Sequence, residues 1–93
     1  DKSFDNFNAL YQMGRTAVLA ENFLENGIQA LQSYLEQAPA SRQLPQKHWA
    51  RFRLANLLEL SGDADKAKQI YQSLLTVSDK RLSEQVKKQL NQS

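Results

Sequence analysis

Ninety-three residues, 41% apolar and 24% charged, describe one ordinary globular domain near the lower end of what folds unaided. No apolar run approaches the roughly 18 residues of a membrane-spanning helix. A formal charge of +2 steers anionic partners only weakly, and zero cysteines exclude disulfides and thiolate metal sites.

Good helix formers dominate: alanine, leucine, glutamine, glutamate and lysine, with only three glycines and two prolines. From Phe4 the positions Phe7, Leu10, Tyr11, Gly14, Ala17 and Val18 recur at three- and four-residue spacing and predict a first helix to about Glu21. Ser3 is its expected N-cap, with Asp5 in the first turn. Leu24, Gly27, Ile28, Leu31, Tyr34 and Leu35 predict a second helix ending near Gln37, before Pro39. The periodicity lapses over "APASRQLPQ", Ala38 to Gln46, which reads as a loop joining two halves of one core.

A third helix is expected from Lys47 to Ser61, ended by Gly62. Asp63 is placed to cap the fourth, whose buried face is read as Ala67, Ile70, Tyr71, Leu74 and Leu75. Ser78 or Asp79 opens a fifth helix with a thin stripe, Leu82, Val86 and Leu90, polar elsewhere. Such a helix covers one neighbour and faces water on its other sides. The whole is expected to be all-α: one hairpin over about 4–37, a second over about 47–78, and an end helix over about 80–91.

Leu54 with Ala55, then Leu58, Gly62, Ala67 and Tyr71, follow the order and spacing of a tetratricopeptide repeat, and this segment resembles that family. Met13-Gly14, Gly27, Leu31 and Pro39 echo the pattern. Gly14 stands where the second copy has Ala55, and Gly27 where it has Ala67. Glu21-Asn22 replaces the glycine turn, and the first interval is one residue shorter in the second copy. The copies lie about 41 residues apart, against about 34 in the family, with the excess around Pro45. Arg51 stands where the family prefers tryptophan, and Trp49 is nearby but out of register. Two repeats are fewer than the three units a stable stack needs. The chain, which lacks an initiator methionine and a signal-peptide pattern, is therefore expected to be a piece of a longer protein or to pair with a second copy. The N-terminal helix, with Phe4, Phe7 and Tyr11, is the expected contact.

His48 is the only histidine; without a companion nucleophile or carboxylate in sequence, it reads as an exposed helix-start residue. Asp63 and Asp65 lie in a first turn, where the helix dipole favours carboxylates, and no calcium-loop spacing surrounds them. "GDADKAK" lacks the second glycine and the Lys-Ser/Thr pair of a phosphate loop. No catalytic residue, cofactor site or metal site is therefore expected.

The third helix has two apolar faces. Ala50, Leu54, Leu57 and Leu58 form one, expected against the fourth helix. Trp49, Phe52, Asn56 and Leu60 form the other, with Arg53 and Glu59 beside it. This second face either meets the first hairpin or opens to a partner. In the family it resembles, the first helix of each hairpin lines a concave groove. The resemblance therefore implies a partner-binding surface of Asn8, Tyr11, Arg15 and Val18 with Trp49, Phe52, Arg53 and Asn56. Exposed aromatics beside arginines are common interface anchors. Some family members clamp a peptide's terminal carboxylate with lysine and asparagine; here Tyr11 and Phe52 stand at the lysine positions and Asn56 is alone, which argues against such a clamp.

Lys80, Arg81, Lys87 and Lys88 form a basic face on the last helix, interrupted by Glu84 and without aromatics, so a solvated end helix is expected rather than a nucleic-acid site. The expected function is a non-enzymatic protein–protein interaction module that binds a peptide or partner protein. The rival is structural packing or homodimerisation through the N-terminal helix. Glutamine richness and absent cysteine suit a bacterial chain, periplasmic or cytoplasmic.

Overall fold

In the computed structural model, residues 2–38 and 47–92 are described, with side chains for 5–38 and 47–91. Among the described residues five helices follow one another: α1 Lys2–Ala20, α2 Leu24–Gln37, α3 Lys47–Leu60, α4 Ala64–Leu74 and α5 Lys80–Gln92. Among the described residues there is no strand, and the all-α class holds. Ser3 lies inside α1 rather than capping it. The expected loop, apart from Ala38, falls outside the described residues.

Helices α1 and α3 end in the same way, in closing turns 41 residues apart. After α3, the N–H of Gly62 bonds to the carbonyl of Glu59 at 3.2 Å and that of Asp63 to Leu58 at 2.8 Å. After α1, Glu21 bonds to Val18 and Asn22 to Ala17, both at 3.3 Å. Both are Schellman closures, which need a left-handed residue just past the helix. Gly62 takes φ 98°, which glycine adopts without steric cost. Glu21 takes φ 51° and Phe23 φ 54°, conformations costing a side-chain-bearing residue about 1–2 kcal/mol each. The first turn thus makes the same closure without glycine, and Phe23 absorbs the extra residue. It also holds its own N–H against Asn22 Oδ1 at 2.8 Å.

Helices α1 and α2 approach closely at Gly14 and Gly27. A Cβ at Gly14 would meet Leu31 Cδ1 at 2.6 Å and Cδ2 at 2.7 Å; one at Gly27 would meet Ala17 Cβ at 2.7 Å and Leu57 Cδ1 at 2.9 Å. In the second hairpin Ala55 and Ala67 share one buried cluster at 0% and 1% exposure.

Two apolar cores flank α3. Tyr11, Ala17, Leu31, Tyr34 and Ala38 form the first with Ala50, Leu54 and Leu57 of α3. Phe52 and Ala55 join Ala67, Tyr71, Leu74, Leu82 and Val86 in the second. This reverses the expected use of the α3 faces. The Ala50–Leu54–Leu57 stripe meets the first hairpin, and the Phe52 side meets α4 and α5. The reason is spacing: Phe52 lies one turn from Ala55, whose small side chain lets α3 and α4 close together, so the ring is carried to the same side. Leu75, expected in the α4 core, is 38% exposed because α4 ends at Leu74. Full burial of Leu31, Leu57, Leu74 and Leu82 contributes about 2–3 kcal/mol apiece.

The molecule measures 40 × 30 × 19 Å, so it is about two helix diameters thick. One layer holds α1, α3 and α5, and the other holds α2 and α4.

Candidate interaction groove

Helices α1, α3 and α5 run side by side and leave a cleft in two connected parts. The first, of about 500 Å³, is lined by Tyr11 and Arg15 of α1, Trp49, Phe52 and Arg53 of α3, and Arg81 and Gln85 of α5. The second, of about 310 Å³, lies toward the C-terminal halves of the same helices and shares Phe52, Arg53 and Gln85. It adds Val18 and Glu21, then Asn56, Glu59 and Leu60, and finally Gln89.

Seven of the eight residues singled out from sequence line this cleft. Asn8 is half-buried and not among the lining residues. Tyr11 and Phe52, however, are not exposed anchors. They are 8% and 3% exposed and form the floor, members of the two cores. Trp49 is half-buried and meets Phe52 edge-on, with ring centroids 5.8 Å apart at 87°. Phe52 in turn lies 5.9 Å from the Tyr71 ring.

The polar groups have unequal freedom. Tyr71 offers its hydroxyl to Asn56 Oδ1 at 2.6 Å, with Glu59 Oε1 at 3.1 Å. One proton serves one acceptor at a time. Burial first, and then the charge and hydrogen bond of Glu59, push the Tyr71 hydroxyl well above its ordinary value. With its carbonyl oxygen so engaged, Asn56 has its NH₂ left to offer. The Arg53 guanidinium sits 5.7 Å from the Phe52 ring centroid, and its Nε is buried without a hydrogen-bond acceptor.

His48 is not the exposed residue expected. Its Nε2 lies 3.1 Å from Asp79 Oδ2, with the two side chains 22% and 26% exposed. An ionised carboxylate only accepts, so Nε2 carries the proton in this contact. Trp49 Nε1 donates to the same oxygen at 3.1 Å, and Asp79 Oδ1 accepts from the backbone N–H of Leu82 at 3.1 Å. Asp79 therefore caps α5 and fastens it to the start of α3. The Leu82 N–H, with the His48 and Trp49 bonds adding to it and partial burial opposing, holds the carboxyl below its ordinary value. Asp63 does stand at the N-cap of α4, but its side chain makes no capping bond; it lies 3.8 Å from Lys66 Nζ in an exposed pair.

Sequence reasoning missed Arg81, Gln85 and Gln89 as cleft residues and assigned Arg81 to a solvated face. A signal was present: 81, 85 and 89 repeat at i, i+4 immediately beside the Leu82–Val86–Leu90 stripe. Glu21 was read only as a turn residue.

A separate apolar hollow of about 410 Å³ lies between α1 and α2, with Ala9, Met13, Thr16, Phe23 and Asn26 in its wall. Met13 is 50% exposed, and Leu19 and Phe23 are each 70% exposed. The expected contact residues Phe7 and Tyr11 instead pack into the first core, and Phe4 has no described side chain.

Among the described residues no three His, Cys, Asp or Glu side chains gather where they could hold a metal ion, and no helix is long and apolar enough to cross a membrane. Compared with protein-family models, curated proteins and solved structures, the chain matches none.

Proposed function

We propose that the chain is a non-enzymatic interaction module of the tetratricopeptide type, holding a peptide or partner segment in the cleft of α1, α3 and α5. The observation that carries this reading is the convergence of three parallel helices on one preformed concavity floored by buried rings. A floor fixed by the core costs little ordering on binding. Two hairpins closed by the same turn 41 residues apart support the repeat character. Panning a displayed random-peptide library against the chain tests it. The binders obtained lose affinity when Gln85→Trp fills the cleft and keep it when Lys68→Trp alters exposed α4. Binders indifferent to Gln85→Trp, or none at all, would refute the reading.

A second reading, stacking through α1 and α2, rests on the exposed Met13, Leu19 and Phe23. Shifted by 41 residues, Ala50, Leu54 and Leu57 correspond to Ala9, Met13 and Thr16. The first three are covered within the chain by α2; the second three face the open hollow. The occupant it fits is an amphipathic helix like α2. Sedimentation across a concentration series checks the case of a second copy: association abolished by Met13→Glu supports it, and a monomer throughout counts against it.

A further inference from the structure

We infer that the cleft selects a peptide segment with a short acidic block at one end and no acidic side chains beyond it. This rests on the reading of the cleft as a peptide site. Arg15, Arg53 and Arg81 come from three helices and line the first part of the cleft, Arg53 at its junction with the second. Among the described residues none of the three forms an ion pair, although exposed carboxylates are available elsewhere on the surface. Arg53 is the most telling. Its Nε is out of water without an acceptor, and its guanidinium is held near the Phe52 ring, 5.7 Å from the centroid, rather than by an acid. The unpaired buried Nε is costly and fixes no acid beside the side chain, so the terminal N–H groups of the guanidinium, which face the cleft, are left to pair with a ligand carboxylate at two points.

The second part of the cleft has the opposite balance, two glutamates against the shared Arg53. Glu21 and Glu59 line it, and Glu59 is fixed beside Tyr71. Gln85 lines both parts and Gln89 the second, and their amides can pair with the N–H and C=O groups of a main chain, while the Asn56 NH₂ can donate to a C=O. This polarity excludes a uniform polyanion: one long enough to follow the cleft would be drawn to the arginines and repelled by the glutamates. The chain as a whole, at +2, draws such a ligand only weakly. A segment whose charge runs from acidic to basic matches both ends.

Titration of the whole chain with four fluorescent probes tests this. The first three are ten-residue peptides, acetylated and amidated so that no terminal carboxylate contributes. One carries two glutamates at one end and two lysines at the other, one is glutamate throughout, and one has glutamine at every charged position. The fourth is a ten-nucleotide thymidine strand. The expected order puts the two-ended peptide at least tenfold tighter than any other probe. Arg15→Gln with Arg81→Gln, both exposed and checked by circular dichroism, should remove that advantage without weakening the glutamine peptide. Equal binding of the two-ended and glutamine peptides, or preference for the all-glutamate peptide or the nucleotide strand, would overturn the inference. If library-selected peptides still depend on the open cleft, that outcome leaves the interaction reading standing. If no peptide of either kind binds, both fail.

Discussion

Trp49 Nε1 donates a hydrogen bond of 3.1 Å to Asp79 Oδ2, across 30 residues of sequence. The contact joins the first turn of α3 to the residue that caps α5. Helix α5 has only a thin apolar stripe, so this tie does much to fix where Arg81, two residues on, stands in the cleft. Asp79→Ala removes the cap and the tie together and should speed hydrogen exchange along α5 while α1 and α2 keep their protection. Uniform acceleration, or none, would show that Asp79 does not hold α5 separately.

The same carboxylate predicts an acid limb in the stability curve. The native state lowers its pKa, so its contribution is fully present above the ordinary value of 3.8 and is lost as pH falls through the lowered native value. Asp79→Asn can still accept from Leu82 but cannot titrate. Thermal melts from pH 6 to pH 2 should therefore fall more steeply for the parent than for this variant. Parallel curves would contradict the assignment.

Glu21 and Gly62 perform the same closure, and only one of them is glycine. Glu21→Gly should raise stability by up to about 1 kcal/mol, since relief of left-handed strain outweighs the added freedom of the unfolded chain. Gly62→Ala meets no atom within 4 Å yet should lower stability by about 1 kcal/mol through strain alone. Chemical denaturation reads both, and a loss from Glu21→Gly would mean its side chain contributes more than its backbone costs.

Gly14→Ala forces a methyl into the branch of Leu31, packed on every side, and should cost about 1–3 kcal/mol. Phe52→Ala empties a buried site in the second core and should cost about 3–5 kcal/mol. Denaturant midpoints check both. A neutral Phe52→Ala would restore the exposed anchor expected from sequence.

The helices were legible because their apolar residues recur at three and four and because Gly62, Pro39 and the Asp79 region punctuate them. Burial was legible in part. Gly14, Gly27, Ala55 and Ala67 mark helix contacts by their size, but periodicity alone did not say which neighbour each face of α3 would meet. Phe52 follows the small Ala55 toward α4, and a one-dimensional pattern carries no such geometry. The His48–Asp79 pair is separated by 31 residues and leaves no local trace. Arg81 was hidden because a basic residue on a thinly striped helix looks solvated until a neighbouring helix makes a wall beside it.

The most direct test of the central claim is to map amide and indole shifts of the whole chain as the two-ended peptide is added. The prediction is that changes concentrate at the Trp49 indole, Arg15, Arg53, Arg81 and Gln85, leaving Glu25 and Lys68 on the other layer unmoved. Shifts gathered on Met13 and Phe23 instead, with the Trp49 indole silent, would contradict it.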